Sequence, residues 1–318
     1  MSIISKNIDK AVHILSNEDV VAIPTETVYG LAGNIYSDQA IRKIFEVKQR
    51  PLFNPLIVHL HSVEQLQGIV SHIPEKAQRL ADAFWPGSLT LVLKKNLSIP
   101  DVITAGKDTV GVRIPNHPVT LALLKKLPFP LAAPSANPFN RISPTSALHV
   151  EGYFKDTIQM VLDGGDCQNG LESTIIGFED DEPVLYRLGS ISVEEIESVI
   201  GEIRVKNKEE NTPSAPGMLA KHYAPRTKTY LVENVEGFIK EHPNKAIGVL
   251  SFTEAFSAAN IKYVEILSSS GDLKVAAANL YSSLHKLDHL DLDMIVAQKF
   301  PEFGLGNSIN DRLDRATK

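Results

Sequence analysis

The hydrophobic pattern of this chain alternates between short strand-like runs and amphipathic helical runs over its first 205 residues. The apolar runs at 20–23, 56–60 and 90–93 have the length and the β-branched content that are typical of buried strands. Between such runs, apolar residues recur at intervals of three or four, as Ile41, Ile44 and Phe45 do. Strands that alternate with helices predict an α/β fold, in which helices flank a twisted mixed sheet.

Several residues mark where the helices should begin and end. Ser37 or Asp38 can cap a helix that carries Ile41, Ile44 and Phe45, and this helix should end before Pro51. Ser143 followed by Pro144 predicts the start of another helix, because serine caps helices and proline suits the first helical position. Apolar residues at helical spacing also predict a first helix, with an apolar face formed by Ile4, Ile8, Val12 and Leu15.

The alternating pattern breaks between residues 206 and 228. This stretch, KNKEENTPSAPGMLAKHYAPRTK, crowds charged residues, asparagine, proline and glycine together, which is typical of a linker. Beyond it, strand-like and helical patterns alternate again, and a chain of 318 residues is long enough for two domains. We therefore expect a larger catalytic domain at 1–205, a linker or lid at 206–228, and a smaller Rossmann-like α/β domain at 229–318.

The charge distribution argues against a protein built mainly to bind nucleic acid. The net charge of −6 lies entirely in residues 1–204, and residues 205–318 are neutral overall. A nucleic-acid-binding protein should show the opposite sign, because phosphate contacts dominate its affinity. The net charge does not exclude a basic patch on part of the surface.

The sequence also limits the compartment and the covalent chemistry of the protein. The single cysteine, Cys167, excludes an intramolecular disulfide and a four-cysteine zinc cluster. Charged residues interrupt every apolar run near the N-terminus, so no secretory leader is predicted. No run approaches the roughly 18 apolar residues that a membrane span needs. We expect a cytoplasmic protein that makes no contact with membranes.

Standard motifs for nucleotides and metals are not found in the sequence. There is no GxxxxGK[ST] loop, and GLGNS at 304–308 lacks the third glycine of a dinucleotide fingerprint. His59 and His61 would face the same side of one strand, as a metal-binding pair does. No complete ligand set accompanies them, so two ordinary strand histidines are the favoured interpretation.

Polar residues instead cluster at the ends of several predicted strands. The loop 24–34 follows a strand, where open α/β sheets bind ligands, and Arg113 in an apolar strand needs an anionic partner. The loop 133–145 holds hydroxyl and amide side chains between prolines, and the segment 172–174 and Arg187 lie at further strand ends. Singly, each cluster is explained by ordinary turn and cap chemistry. Together they predict a site for a polyanion and a small polar substrate.

The segment KQRPLFNPLIVHL at 48–60 leaves two interpretations open. In the first, Lys48 ends a helix, where a cation is favoured by the helix dipole, Arg50 is solvated, and His59 is an ordinary strand-end histidine. In the second, these three polar groups are aimed at a ligand. Because Arg50 follows the helix end, it is not expected to lie in the core.

Six motifs, in this order along the chain, resemble those of the YrdC-like threonylcarbamoyl-AMP synthase family in its longer, two-domain form. They are PTETVYGL at 24–31, KQRP at 48–51 with NPLIVHL at 54–60, PSAN at 134–137 with SPT at 143–145, ESTII at 172–176, RLGSIS at 187–192 and PGMLAKHYAP at 216–225. The sequence departs from the family pattern at GLAGN, 30–34, where a second glycine is common after the leucine, and at Phe139–Asn140, where many relatives carry Ser-Gly. Both departures are expected in loops, where they should alter only the edges of the pocket.

The resemblance implies an enzyme of the nucleotidyltransferase type. The family makes threonylcarbamoyl-adenylate from L-threonine, bicarbonate or CO2, and ATP, and it releases pyrophosphate. The product feeds the threonylcarbamoyladenosine modification of tRNA. The implied partners are therefore the downstream tRNA threonylcarbamoyl-transfer machinery and, through a weak contact, tRNA itself. Mg²⁺ is the implied cofactor, held mainly by ATP, with no metal ligand assigned to the protein.

The resemblance also implies two groups of site residues. Lys48 and Arg50 correspond to the family's cationic pair on the ATP phosphates and are the implied catalytic residues. The remaining implied ATP-binding residues are Asn54, Thr109, Ser135, Asn137, Ser143, Arg187 and Tyr223. The implied L-threonine-binding residues are Thr27, His59, Arg113, Ala133 and Ser173. Arg113 would pair with the substrate carboxylate, and the segment 216–225 would form a lid.

Two alternative functions are retained at this point. The first is an RNA-binding factor in ribosome or tRNA assembly, which predicts a basic surface on the first domain. The second is a carbamoyltransferase that uses the same fold element on another acceptor. Relatives of that second kind carry zinc-finger segments, which one cysteine is unable to build.

Overall fold

The computed structural model describes residues 3–207, 215, 216, 218 and 222–318. Within them, a first group of eleven strands forms one sheet and a second group of four strands forms another. The first group consists of β1 Ile4–Ser5, β2 Val21–Ile23, β3 Gly30–Asn34, β4 Ile57–His59, β5 Leu89–Lys94, β6 Thr109–Arg113, β7 Leu131–Ala132, β8 Val161–Leu162, β9 Thr174–Glu179, β10 Glu182–Arg187 and β11 Arg204–Val205. The second group consists of β12 Thr229–Val232, β13 Ile247–Ser251, β14 Ile261–Ile266 and β15 Met294–Gln298.

Helices alternate with these strands along the chain. A 3₁₀ turn at Val63–Gln65 precedes the third α-helix. The α-helices are α1 Ile8–Ser16, α2 Asp38–Lys48, α3 Leu66–Ile69, α4 Glu75–Phe84, α5 Asp101–Thr104, α6 Pro118–Lys126, α7 Ala147–Phe154, α8 Val193–Ile200, α9 Val235–Glu241, α10 Leu273–Asp288 and α11 Leu305–Ala316. Ser37 caps α2 as predicted, because its side chain accepts a hydrogen bond from the backbone N–H of Ala40.

The large sheet has the strand order β1-β8-β2-β3-β7-β4-β6-β5-β9-β10-β11. It is mixed: β4 pairs with β6 in parallel, whereas β5 pairs with β6 and β9 pairs with β10 in antiparallel fashion. The small sheet has the order β12-β15-β13-β14, and every pairing in it is parallel. The predicted fold class, a mixed α/β sheet followed by a smaller α/β unit, is therefore confirmed.

One hydrophobic core lies within the large unit, and a second core joins the two units. The first contains apolar residues of the large sheet together with the buried face of α2. The second combines buried residues of α10 and α11 with Val28, Ile142 and Leu171. Those three residues belong to loops between strands of the large sheet. The small α/β unit therefore packs directly onto loops of the large one.

Two predicted helix starts are wrong. The first helix begins at Ile8, because Ile4 lies in β1 and pairs with Val161 of β8 at the sheet edge. The helix predicted after Ser143 begins only at Ala147, where Ser146 is the cap. The Ser143 hydroxyl is not available as a cap, since it donates a hydrogen bond to Glu172 at 2.6 Å.

The division of the chain at 206–228 stays a prediction. β11 ends at Val205 and β12 begins at Thr229, but residues 208–214, 217 and 219–221 of the linker lie outside the described residues. The departure GLAGN is not in a loop as expected, since its residues form the largely buried strand β3. None of the helices in the described part of the chain is long and apolar enough to cross a membrane.

Candidate active site

The candidate site lies where several strands of the large sheet end at the same edge. Parallel pairing places His59, at the end of β4, directly opposite Arg113, at the end of β6. The start of β9 reaches this edge because Thr174 pairs with Leu89, the first residue of β5, which runs antiparallel to β6. β10 runs antiparallel to β9, so it ends here with Arg187. The topology thus gathers side chains that are far apart in sequence.

A cavity opens at this edge and encloses about 530 Å³ of space that atoms do not occupy, counting its open mouth. Nine of the residues predicted from the sequence line its wall: Thr27, Arg50, His59, Arg113, Ala133, Ser135, Ser173, Arg187 and Tyr223. Glu172, Pro216 and His222 also line it. The structure therefore brings all five residues predicted for threonine, and four of the nine predicted for ATP, to one cavity.

Arg113 is buried in the wall, with 4% of its surface exposed. Its Nε donates to the carbonyl of Gly87 at 3.1 Å, and its Nη1 donates to the Thr27 hydroxyl at 3.0 Å. Its Nη2 lies 2.7 Å from Oε1 of Glu26, and this carboxylate is the anionic partner that a buried arginine in an apolar strand requires. The contacts fix the guanidinium group in one orientation beside the cavity.

His59 and Ser173 add hydrogen-bonding groups beside Arg113. Nδ1 of His59 lies 3.1 Å from the carbonyl oxygen of Ile57, and burial lowers the pKa of His59 to about 3. The ring is therefore neutral at neutral pH. Since a carbonyl oxygen only accepts, Nδ1 carries the proton and Nε2 is left as an acceptor. The Ser173 hydroxyl lies 2.8 Å from that of Thr90 and accepts a bond from Arg187.

Lys48 and Arg50 are both buried, with 1% and 7% exposure. The Lys48 ammonium group donates to the carbonyls of Ser135 and Asn137, so it holds the loop that carries the PSAN motif. Burial, together with the nearby charge of Arg50, holds the pKa of Lys48 well below its usual value. The interpretation of Lys48 as an ordinary helix-end surface cation is therefore wrong.

The expectation that Arg50 lies outside the core is also wrong. Gln49 ends α2 in the left-handed conformation, with φ at 53°, and this turn directs Arg50 back into the protein. Its Nε and Nη2 donate to the carbonyls of Asn54 and Pro55 at 3.2 and 2.9 Å. Burial and then the charge of Arg187 lower the pKa of Arg50 to about 9. Arg50 thus orders a loop as well as facing the cavity.

Five predicted site residues do not line the main cavity. Lys48 and Asn137 stabilise its PSAN loop, where the Asn137 amide donates to the carbonyls of Pro138 and Arg141. Asn54 is fully buried, and neither polar atom of its side chain has a hydrogen-bond partner among the described residues. Thr109 lines a smaller adjoining cavity of about 290 Å³. Ser143 is fully buried behind Glu172.

Glu172 is a central residue to which the sequence pattern assigned no role. Its carboxylate accepts hydrogen bonds from Ser143 at 2.6 Å, from Nε of Arg312 at 2.9 Å and from the Tyr281 hydroxyl at 2.9 Å. Burial alone would raise the pKa of Glu172, but the charges of Arg312 and Arg187 hold it at about 2. Its position next to Ser173 in the ESTII motif was the available signal. Its partners Tyr281 and Arg312 come from α10 and α11, over 100 residues away.

Tyr223 lies against the same group of residues. It adopts the left-handed conformation, with φ at 63°, and 1% of its surface is exposed. The Arg312 guanidinium lies 4.8 Å from the centre of its ring, and the ring of Tyr281 lies 5.9 Å away. The preceding His222 packs edge-on against Phe139 at 6.2 Å. The departure at Phe139 thus contacts the segment that was predicted to form the lid.

Positive charge is in excess at this site. Lys48, Arg50 and Arg187 are each at most 7% exposed, and their donors mainly reach carbonyl and hydroxyl oxygens. Glu172 is the only carboxylate among the described residues that line the cavity, and Arg312 already neutralises it. Buried cations of this kind require an anion. The fold and the site therefore define an α/β protein that binds an anionic small molecule.

Comparisons with known proteins agree with this class. Residues 13–189 match a model of the Sua5, YciO and YrdC proteins, described as "Telomere recombination", and residues 191–317 match "Threonylcarbamoyl-AMP synthase, C-terminal domain". The chain is 42% identical to threonylcarbamoyl-AMP synthase of Pyrococcus abyssi, over 94% of this chain and 90% of that protein. It is 40% identical to the Bacillus subtilis synthase, over 97% of this chain and 92% of that protein.

A solved structure shows the same similarity in three dimensions. The crystal structure of P. abyssi Sua5 complexed with L-threonine matches this fold with a TM-score of 0.91 at 40% identity, covering 98% of this chain and 94% of that chain. The chain belongs to the threonylcarbamoyl-AMP synthase family, in its two-domain form. It is an enzyme of the nucleotidyltransferase type.

Proposed function

We propose that this chain joins L-threonine, bicarbonate or CO2, and ATP into threonylcarbamoyl-adenylate and releases pyrophosphate. The observation that carries the proposal is the group of buried cations, Lys48, Arg50 and Arg187, at a cavity that also holds Arg113 beside a neutral His59. A triphosphate supplies the anion that the first group lacks. An amino acid carboxylate suits Arg113.

The proposed ATP-binding residues divide into direct contacts and supports. Arg50 and Arg187 face the cavity, and the Lys48 ammonium group lies against the PSAN loop, where it donates to the carbonyl of Ser135. These three side chains would neutralise the phosphates. Ser135 and Tyr223 both lie in the cavity wall. Supporting positions around the nucleotide are assigned to Asn54, Thr109, Asn137 and Ser143.

The proposed threonine pocket is formed by Arg113, Thr27, His59, Ala133 and Ser173. The substrate carboxylate would share the Arg113 guanidinium with Glu26, which neutralises it when no substrate is bound. The substrate hydroxyl has three candidate partners, namely Thr27, Ser173 and Nε2 of His59. We expect a pocket with this many fixed polar groups to discriminate strongly between amino acids with and without this hydroxyl group.

The chemistry needs alignment and neutralisation of charge rather than a nucleophile from the protein. The threonine amine takes up CO2 as a carbamate, one carbamate oxygen attacks the α-phosphorus of ATP, and pyrophosphate leaves. Holding the two substrates in line and neutralising the phosphates lowers the barrier. Mg²⁺ fits here as an ion carried by ATP oxygens and water, because the carboxylate of Glu172 is already occupied by Arg312, Tyr281 and Ser143.

Amino acid selection gives a direct test of the proposed function. Valine has the shape of threonine but lacks its hydroxyl, so it leaves buried polar groups of the pocket unpaired. We expect kcat/KM for pyrophosphate release with valine to be at least about 100-fold below that with threonine. Serine keeps the hydroxyl and loses one methyl group, which should cost about tenfold. Equal pyrophosphate release with threonine and valine would contradict the proposal.

We also propose that the segment 206–228 acts as a lid that shields the labile carbamate from water. In the described part of this segment, Pro216, His222 and Tyr223 line the cavity, which supports this proposal. The prolines restrict the segment, so ordering it over a ligand costs less entropy than ordering a glycine-serine chain. With residues 206–228 as the lid, the two proposed domains comprise residues 1–205 and 229–318.

Limited proteolysis tests the lid. ATP and threonine together should slow cleavage within residues 213–225 by at least about tenfold, because ordered segments are poor protease substrates. Cleavage in the loop between β13 and β14, which lies in the small sheet, serves as the control and should not change. Equal cleavage rates of the segment with and without ligands would show that it is only a tether.

The remaining partners follow from the product. We propose that threonylcarbamoyl-adenylate passes to tRNA threonylcarbamoyl-transfer machinery in the cytoplasm, and that any contact of this chain with tRNA itself is weak. The buried state of Lys48, Arg50 and Arg187 supports a small-molecule ligand over an RNA backbone, which binds exposed cations.

A further inference from the structure

The second α/β unit contributes side chains to the immediate surroundings of the site. Arg312 of α11 and Tyr281 of α10 both donate hydrogen bonds to Glu172, at 2.9 Å each. Both side chains are at most 1% exposed, and Glu172 is 5% exposed. A second contact of α11 is made by Ser308, whose hydroxyl donates to the carbonyl of Gly189. The second unit is therefore bonded to both the ESTII and RLGSIS segments.

Glu172, which is held by the second unit, in turn holds Ser143, one of the residues assigned to the nucleotide. Its Oε1 accepts the proton of the Ser143 hydroxyl at 2.6 Å. The carbonyl of the same serine is bonded to Nε2 of His285, at 3.2 Å, and His285 also belongs to α10. Ser143 is thus held at its hydroxyl through Glu172 and at its carbonyl directly, in both cases by the second unit.

Tyr223 is held by the same side chains. The Arg312 guanidinium lies over the Tyr223 ring, 4.8 Å from its centre. Nε of Arg312 donates to Glu172, and Nη2 of Arg312 donates to the carbonyl of Leu188. One arginine therefore connects the carboxylate, the RLGSIS segment and the segment that covers the cavity. The threonine pocket makes no such contact in the described residues, because Arg113 is fixed by Gly87, Thr27 and Glu26.

We propose that Glu172, held by Arg312 and Tyr281 of the second α/β unit, is a positioning residue that fixes Ser143 and Tyr223 in the nucleotide half of the site. The proposal rests on the proposed function. It assigns the second unit a selective role in ATP binding, since its polar contacts reach Glu172, Leu188, Gly189 and Tyr223, whereas the Arg113 guanidinium is held by the first unit.

The hydrogen-bond polarity fixes the direction of this constraint. A carboxylate only accepts, so the Ser143 hydroxyl donates its proton to Glu172. Ser143 is fully buried and does not line the cavity, so it supports the loop 133–145 and does not contact the ligand itself.

The test uses the full chain and measures the KM for ATP and the KM for threonine in each variant. Arg312→Met should raise the KM for ATP about tenfold or more, because a charged hydrogen bond to Glu172 is lost, and should change the KM for threonine less than about twofold. Tyr281→Phe removes only a hydroxyl and should act in the same direction, so the test does not depend on the folding of the arginine variant.

Matched controls separate positioning from stability. Asn310→Ala removes a side chain of α11 that bonds the backbone of Phe300 within the second unit, so it should lower the melting temperature without changing the ratio of the two KM values. Tyr230→Phe in β12 is the control for Tyr281→Phe. A rise of both KM values together, or of neither, in the Arg312 and Tyr281 variants would overturn the proposal.

Ser143→Ala tests the same connection from its other end. The variant removes the hydroxyl group that Glu172 holds, so it should raise the KM for ATP more than the KM for threonine. An equal rise of both KM values would overturn the proposal. If the parent chain itself released no pyrophosphate, the proposed function would fail instead, and the two failures are thus distinguishable.

Discussion

Replacing Arg50 with glutamine should lower kcat/KM for ATP by about 100- to 1000-fold, which is typical when one donor to developing charge is removed. Arg50 is buried, faces the cavity and has no carboxylate partner among the described residues, so its guanidinium is available to a phosphate. Glutamine keeps an amide donor for the carbonyl of Asn54 or Pro55 and should limit the disturbance of that loop. Pyrophosphate release at varied ATP measures the effect.

The matched control for this variant is Arg42→Gln. Arg42 lies on α2, the helix that precedes Arg50, but its side chain is exposed and pairs with Asp38. Its removal should leave both turnover and melting temperature nearly unchanged, because exposed ion pairs contribute little to stability. Turnover of Arg50→Gln within a few-fold of the parent chain would show that the KQRP motif does not act on the phosphates.

Replacing Arg113 with methionine should weaken threonine binding by at least about 100-fold, since truncating one member of a buried charge pair typically costs that much. The same change should destabilise the fold by about 3 to 5 kcal/mol, because Glu26 is left as a buried, unpaired carboxylate. Calorimetric titration with threonine and a thermal melt measure the two effects.

The double variant Arg113→Met with Glu26→Gln separates these effects. Glutamine removes the uncompensated charge, so most of the lost stability should return while threonine affinity should not. If the double variant bound threonine as tightly as the parent chain, Arg113 would be only a structural partner of Glu26. A threonine affinity that recovered in proportion to stability would lead to the same conclusion.

The sequence predicted the fold class and the polar clusters at strand ends for physical reasons that are local, whereas the assignment of single residues to ATP or threonine rested on the family resemblance. The strand-like runs and capped helices follow from apolar periodicity, and Ser37 caps α2 as its position indicated. The site residues sit at strand ends because the sheet brings those ends together, as the opposition of His59 and Arg113 shows. Patterns of this kind are visible within short windows of sequence.

The features that sequence reasoning missed depend on contacts over long separations. Arg50 is buried because a single left-handed residue, Gln49, reverses the chain, and a glutamine gives no signal for that conformation. Ser143 does not cap a helix because its hydroxyl bonds a carboxylate 29 residues away. Arg312 lies 140 residues from Glu172, so no local pattern connects them.

The excess of buried positive charge also argues against the alternative function of an RNA-binding factor. An RNA-binding factor needs cations that a phosphate backbone can reach from solvent, whereas Lys48, Arg50 and Arg187 are each at most 7% exposed. A carbamoyltransferase with this fold element would transfer the carbamoyl group to another acceptor and is distinguished by its product. The identity of the product is therefore the decisive observation.

The most direct test is to follow ATP with the full chain in the presence and absence of L-threonine and bicarbonate, and to identify the products by mass spectrometry. Our account predicts pyrophosphate and a product that contains AMP, threonine and one carbon from labelled bicarbonate, formed only when all three substrates are present. Pyrophosphate release that does not depend on threonine, or a product without AMP, would contradict it.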